Sequence, residues 1–371
     1  MVNEKAVFNP WEVSKDVNYD KLVKDFGVSP LNQLPEIFNK EILFRRQFIF
    51  AHRDIPKILD AIKNKKKFVM MTGLMPTGKF HIGHMMLAQQ MIFYQKLGAK
   101  IYIAVADIES YNARGLSLKE AKENAIEEYI KNYIALGLKP ENCEIYFQSD
   151  RSKDSKKSNA YYRLQNLLAR HATFNEFKAV YGEISPGKMI SALLQASDML
   201  HAQLPEFENI CPVLVPVGLD QDPHLRLARD ISKRFKTNKF TQLSSTYHTM
   251  LTGLKGGKMS SSDPMSYIAL TDDPKTIKTK INKYAFSGGQ PTIEEHKKKG
   301  GNPDIDVSFQ YLRLFEPSDK KLEEIYNNYK SGKLLTGELK KIAITQISSF
   351  LAEHQKKRAK ITQKDIDKYL V

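Results

Sequence analysis

The six residues FVMMTG (68–73) form a short apolar run that stops at a glycine. The next apolar run, KIYIAVAD (100–107), begins after a loop, LMPTGKF, and one long amphipathic segment, HIGHMMLAQQMIFYQKL. Short continuous apolar runs bounded by glycine are the pattern of strands covered on both faces. Two such strands joined by a helix of this length pair in parallel. The order then repeats. LSLKEAKENAIEEYIKNYIALG predicts a helix ending at Gly137, and CEIYFQS predicts a third strand. Residues 160–204 read as helical, PVLVPVG (212–218) as a further buried strand, and DPHLRLARDISKRF as the helix after it. This alternation predicts an α/β fold built on a doubly wound parallel sheet. Upstream, residues 1–50 read as an extension with short helices. NYDKLVKDFG (18–27) has helical spacing, and RDIPKILDAIKNKKK leads into the first strand. From about residue 271 the patterns are helical only, so a helical domain is expected to follow.

PTGKFHIGH (76–84) falls at the first strand-to-helix turn, where doubly wound sheets bind nucleotides. Gly78 and Gly83 allow backbone to come close to a ligand. The helix start is expected to offer free N–H groups and the positive end of its dipole to phosphate. His81 and His84, three apart, share one side of the first turn and can donate hydrogen bonds to phosphate oxygens. The alternatives are two core histidines or a chance metal pair, and no third ligand lies nearby in sequence. GLKGGKMSSSDP (253–264) places three glycines before Lys258 and three hydroxyls after it. A mobile loop of this kind can bring a cation over a triphosphate and stabilise departing pyrophosphate. Standing alone, it would read as a flexible linker.

The net charge of +15 over 371 residues fits a polyanionic partner such as nucleic acid, although a lysine-rich surface alone gives the same balance. The excess is spread along the chain and not gathered into a basic tail. No apolar run approaches the roughly 20 residues that span a bilayer, and the start lacks the apolar stretch of a signal peptide. Cys143 and Cys211 form no CxxC and no zinc spacing. A reduced, cytoplasmic protein without membrane contact or structural metal is the expectation. ALLQASDML (192–200) carries a single carboxylate, Asp198, inside an apolar run. Burying it is costly unless it is paired or hydrogen-bonded.

HIGH (81–84) together with KMSSS (258–262) resembles the class I aminoacyl-tRNA synthetases. The first motif is complete. In the second, Ser261 occupies the place of the second lysine in the usual KMSKS form, which puts more weight on Lys258, with Lys255 as a candidate helper. FNPWEV, YDKLVKDFG, FAHRD, VGLDQDPHLRLARD and the run KTKINKYAFSGGQPTIEEHKKKGGNPDIDVSFQYL are similar to the archaeal and eukaryotic tryptophanyl-tRNA synthetases, and so is SGKLLTGELKK with AEHQKKR. The resemblance covers roughly residues 8–365.

That resemblance implies a Rossmann-type, HUP-like catalytic domain over 51–270 and an N-terminal extension (1–50) packed on it. It also implies a helical anticodon-binding domain over 271–354 and a C-terminal helix (355–371) returning to the catalytic domain. The implied reaction activates L-tryptophan with ATP and Mg²⁺ to tryptophanyl-AMP, then transfers it to the 3′ end of tRNA(Trp), in a homodimer. Thr77, His81, Gly83, His84, Lys258, Ser260 and Ser261 would carry the chemistry. Gly73, Gly218, Asp220 and Met259 would hold ATP, and Met71, Gln195, Asp198 and Gln221 the amino acid. Gln195 would bond the substrate or hold Asp198, and Gln221 would meet the substrate amine. Animal-type tryptophan enzymes read the indole with a tyrosine at the position of Met71 and a glutamine at that of Ala104. With both missing here, Asp198 is the expected indole reader, and Met71 packs on the ring. QAxD also resembles the tyrosine enzymes, as does VADIESYNARG (105–115), so tyrosine stands as the rival substrate. A catalytically silent RNA-binding paralogue is the alternative from another class, and a small-molecule nucleotidyltransferase would not need the helical tail.

Overall fold

The computed structural model describes residues 27–31, 34–260 and 262–371. The helix expected over 18–27, most of the N-terminal extension and Ser261 therefore lie outside the described residues. Among the described residues eight strands form two four-stranded sheets. They are β1 (Ser29–Pro30), β2 (Ile49–Arg53), β3 (Val69–Leu74), β4 (Lys100–Val105), β5 (Cys143–Phe147), β6 (Val213–Leu214), β7 (Val217–Gly218) and β8 (Ser245–His248).

The main sheet has the order β5-β4-β3-β6 and every pairing is parallel. The chain runs outward from β3 through β4 to β5 and returns to the other side of β3 as β6. The carboxyl ends of β3 and β6 thus flank the point where strand order reverses, which is where such sheets bind ligands. Both faces are covered, and the strand period sorts the side chains between them. Met70, Leu74, Ile101, Ile103 and Val105 join one core. Val69, Met71, Tyr102, Ala104 and Tyr146 join the other, beneath the helices Ser155–Leu168 and Pro186–Leu200.

The expected strand 212–218 is broken in two. Val213–Leu214 pairs with β3, while Val217–Gly218 pairs with β8 in the second sheet. Pro216 has no N–H to give a ladder, and Val215 N–H already bonds Ser244 O, so the chain changes sheets there. The second sheet, β1-β2-β8-β7, is mixed, with β2 antiparallel to both neighbours. Its strand β2 begins inside the stretch read as short helices. The helix expected to end at Gly137 does so, with Gly137 left-handed at φ 112°, but it carries a π turn over Ala125–Ile130.

Beyond residue 272 the elements are helices, several started by a side-chain cap from Asp273, Thr292, Asp306 or Ser318. The longest, Thr336–Arg358, packs back on the sheet side, where His354 Nε2 lies 2.7 Å from Asn132 Oδ1. Tyr369 O accepts from Ile145 N–H at 2.7 Å, so the last residues lie along the open edge of β5. Among the described residues no helix is long and apolar enough to cross a membrane.

Candidate active site

β3 ends at Leu74 and feeds the turn that carries the two histidines. Gly73, exposed one residue earlier on the same face as Met71, has only Ala104 O within 4 Å of where a Cβ would stand. The turn is pinned from behind. Asn124 Nδ2 donates to Pro76 O at 2.6 Å, and Tyr129 O–H donates to Thr77 O at 2.9 Å. Gly78 takes φ +71°, a conformation that favours glycine.

His81 precedes the helix Ile82–Lys96, and its Nδ1 accepts the Gly83 N–H at 3.1 Å. His84 Nδ1 accepts the His81 N–H at 3.2 Å, and the two rings stack with centroids 3.8 Å apart. Because both Nδ1 atoms are acceptors, both rings carry their proton on Nε2. Burial pushes His84 down to about 4 and His81 well below its ordinary value, with the neighbouring His84 adding to the effect. The pair is therefore neutral at pH 7, with two N–H donors of fixed tautomer.

The first backbone N–H groups of this helix are not free, contrary to the sequence expectation. Ile82 N–H bonds Ile268 O at 3.1 Å, Gly83 N–H bonds the His81 ring, and the His84 and Met85 N–H groups bond His81 O. The imidazoles, not the helix start, are left to meet a phosphate.

The loop bearing Lys258 lies over this turn. A Cβ on Gly83 would stand 3.3 Å from Met259 Sδ and 3.0 Å from His81 Cε1, so a side chain there would crowd both the His81 ring and the loop. Lys258 Nζ lies 3.9 Å from Asp220 Oδ2, just past the end of β7. Gly218 makes room for that carboxylate, since a Cβ would stand 2.5 Å from Asp220 Oδ1. Gln221 Nε2 donates to Asp220 at 3.2 Å and so holds the carboxylate in this structure. Asp222, the first residue of the helix Asp222–Arg234, is buried against Arg53, Arg226 and Tyr247. Lys255 is paired with Asp263 at 2.6 Å. Ser260 N–H bonds Ser266 Oγ at 2.9 Å, and Ser260 Oγ lies 2.9 Å from Ser262 Oγ.

Asp198 sits on the helix Pro186–Leu200, buried beside Met71 and Tyr146 of the same sheet face. Its Oδ1 accepts from Tyr146 O–H at 2.7 Å and Tyr161 O–H at 2.6 Å, and its Oδ2 accepts from Gln148 Nε2 at 2.8 Å. Burial still pushes its carboxyl up to about 6, against the pull of these donors and of Arg151. Met71 Sδ lies 3.9 Å from Tyr146 O–H. Gln195 makes no hydrogen bond to Asp198. Its Nε2 donates to Glu109 Oε2 at 2.6 Å, and its Oε1 is buried without a partner. Glu109 itself is pushed up to about 7, first by burial and then by the Asp198 charge.

Sequence reasoning missed Tyr146, Gln148, Tyr161 and Glu109. Tyr146 and Gln148 stand two apart in and just past β5, on one face, which is the signal that could have paired them.

Residues 63–352 match the family described as tRNA synthetases class I (W and Y). The chain is a class I tRNA synthetase. It is similar to a tryptophan–tRNA ligase of Methanocaldococcus jannaschii, at 45% identity over 94% of each chain. It is also similar to one from Aeropyrum pernix, at 41% identity over 95% of each. The crystal structure of the Aeropyrum pernix K1 tryptophanyl-tRNA synthetase superposes on this synthetase with a TM-score of 0.89, at 40% identity, covering 98% of this chain and 99% of that one.

Proposed function

We propose that the synthetase is a tryptophan–tRNA ligase that consumes ATP, releases pyrophosphate and AMP, and charges tRNA(Trp). The observation that carries this reading is the seating of Met259 above Gly83, which brings Lys258 to the histidine turn at the strand-order reversal. In the first step a tryptophan carboxylate oxygen bonds to the α-phosphorus of ATP, and the bond from that phosphorus to the bridging β-phosphate oxygen breaks. The protein's share is positioning and charge stabilisation. The Nε2–H groups of His81 and His84 and the Lys258 ammonium meet the developing charge, beside the Thr77 hydroxyl and the serines of the loop. Among the described residues no three His, Cys, Asp or Glu side chains cluster to hold a metal. Mg²⁺ would arrive on the triphosphate, with phosphate oxygens and waters as its ligands, and would neutralise phosphate charge. Gly73 and Gly218 give ATP close approach, and Asp220 offers a carboxylate to the ribose hydroxyls.

Glu109 and the unpartnered Gln195 Oε1 make one end of the amino-acid pocket attractive to an ammonium group. Gln221 is the further candidate for the amine, once it exchanges its bond to Asp220. Asp198 Oδ2, with a single partner, keeps an acceptor for the indole N–H, and Met71 packs on the ring. In the second step a ribose hydroxyl of the tRNA 3′ end takes the tryptophanyl group and AMP leaves.

The helical part (271–354) is assigned to the anticodon. It carries an open depression of about 390 Å³ where Phe309, Tyr326 and Arg313 offer faces on which an unpaired base could stack, beside the carboxylates of Asp304, Asp319 and Glu323. Tyr111, Leu167, Phe174 and Ile190 expose apolar surface on helices packed around Pro186–Leu200, which supports a homodimer. Both cysteines are buried and free, as a reducing cytoplasm allows.

ATP–pyrophosphate exchange with tryptophan and with tyrosine tests the reading. Tryptophan-dependent exchange is expected. Exchange that requires tyrosine overturns the substrate, and exchange with neither overturns the activity.

A further inference from the structure

Behind the amino-acid pocket lies a charged group that the reaction does not touch. Arg151, in the loop between β5 and the helix Ser155–Leu168, is fully buried. Its guanidinium carbon lies 4.1 Å from the ring centroid of Tyr146, 4.7 Å from that of Phe207 and 5.1 Å from that of Tyr102. Nε–H donates to His201 Nε2 at 3.0 Å and Nη2 donates to Glu144 Oε2 at 3.2 Å, while Nη1 has no partner. A buried cation held this incompletely is poor value for stability, where an apolar side chain of similar volume serves as well or better. Its contacts instead lead to Asp198 by two routes.

The first route runs through His201. Arginine cannot accept a hydrogen bond, so His201 Nε2 must present its lone pair and the ring proton must sit on Nδ1. That Nδ1–H faces Ser197 O at 3.0 Å and Asp198 O at 2.9 Å, the carbonyls at the end of the Asp198 helix. The arginine thus selects the only tautomer that can tie down the Asp198 backbone. The second route runs through Tyr146. The guanidinium backs its ring, and the hydroxyl of that ring bonds the Asp198 carboxylate.

We propose, resting on the ligase reading above, that Arg151 is a positioning residue for the amino-acid pocket: through His201 and the Tyr146 ring it fixes both the backbone and the carboxylate of Asp198. The titratable groups facing Asp198 are Tyr146, Tyr161, Tyr162, His201 and Arg151, with Glu109 acting across the pocket. Those facing Arg151 are Glu144 of β5, His201 and the three rings, with Lys157 near Phe207 and Lys100 bridging Glu144 to Glu208.

The test uses the full-length enzyme with Arg151→Met and Arg151→Lys. For Met, the tryptophan KM in pyrophosphate exchange is expected to rise about tenfold or more, with kcat and the ATP KM within a few-fold. The acidic limb of the KM-against-pH profile should also move up by up to about one pH unit, because a cation that favours ionised Asp198 is gone. Lysine restores the limb but not the KM, since it keeps the charge and lacks the planar fork. A folded Met variant with unchanged tryptophan KM and an unchanged limb overturns the inference. Nitrogen NMR of His201 in the native protein decides independently of any variant's folding, and finding the proton on Nε2 also overturns it. If the native enzyme activates tyrosine instead, the substrate reading fails, and the same KM measurements made with tyrosine still judge Arg151.

Discussion

Asp198→Asn separates the cost of a buried charge from its use. The native carboxyl rises from 3.8 to about 6 on folding, so the folded state holds its proton more tightly than the unfolded chain does. A raised acid makes the folded form relatively more stable at low pH, and that advantage fades as pH rises through 6. Integrating between pH 5 and pH 8 gives a loss of about 1.4 kcal/mol for Asp198 alone. Asparagine removes this slope and, by taking a charge away from Glu109, also reduces the similar slope there. The gap in Tm between native protein and variant should therefore be about 2 °C more favourable to native at pH 5 than at pH 8, for a chain of this length. Matched thermal scans at the two pH values measure it. Activity should move independently. An asparagine nitrogen facing Tyr146 and Tyr161, or facing Gln148 Nε2, breaks at least one of the three bonds. Tryptophan-dependent exchange should collapse even where the variant is as stable as native. A Tm gap that does not change with pH would refute the claim that burial raises this carboxyl, and undiminished exchange would return Asp198 to a structural role.

Other outcomes follow from the geometry. Lys258→Ala should lower kcat for exchange about 10²–10³-fold with little change in tryptophan KM, and a larger change in KM than in kcat would contradict its role at the leaving pyrophosphate. Gly83→Ala pushes a methyl against His81, whose ring is stacked on His84, so kcat should fall about tenfold to a hundredfold while circular dichroism stays native. His84, His224 and His248 are all pushed down to about 4 by burial, so the stability they hold above pH 6.5 is lost as pH falls toward 4. With His81, His201 and His354 pushed the same way they outnumber the three raised carboxyls, Glu41, Glu109 and Asp198, and a Tm that stays flat from pH 7 to pH 5 would show that they are not buried neutral. Phe174→Asp should shift the proposed homodimer toward monomer, and an unchanged sedimentation coefficient would rule that surface out.

The parallel sheet was legible because its strands are apolar on both faces and punctuated by glycine. The two phosphate motifs were legible because each is local, complete within a few residues. Asp198 stood out as one charge in an apolar run, but its setting did not, because its donors lie 52, 50 and 37 residues away. Glu109 and Gln195, 86 residues apart, meet only through helix packing. Strand β2 was hidden for the same reason, since its ladder partner β8 comes nearly two hundred residues later. The break at Pro216 carried a local signal, a proline inside an apolar run, that strand length alone overrode.

The loop that carries Lys258 is an arch with both feet fixed. Leu254 N–H bonds Ser266 O at 2.8 Å, closing the base. Leu254 O takes the Phe286 N–H at 2.7 Å on one side, and Ile268 O takes the Ile82 N–H on the other. Whatever distance Lys258 travels during a turnover, only the dozen or so residues between those feet need reorganise. The entropy of bringing their ends together is already spent in the resting protein, and it varies only slowly with the length of the span. Insertions at the crown of the arch should therefore be far less damaging than a single broken bond at its base.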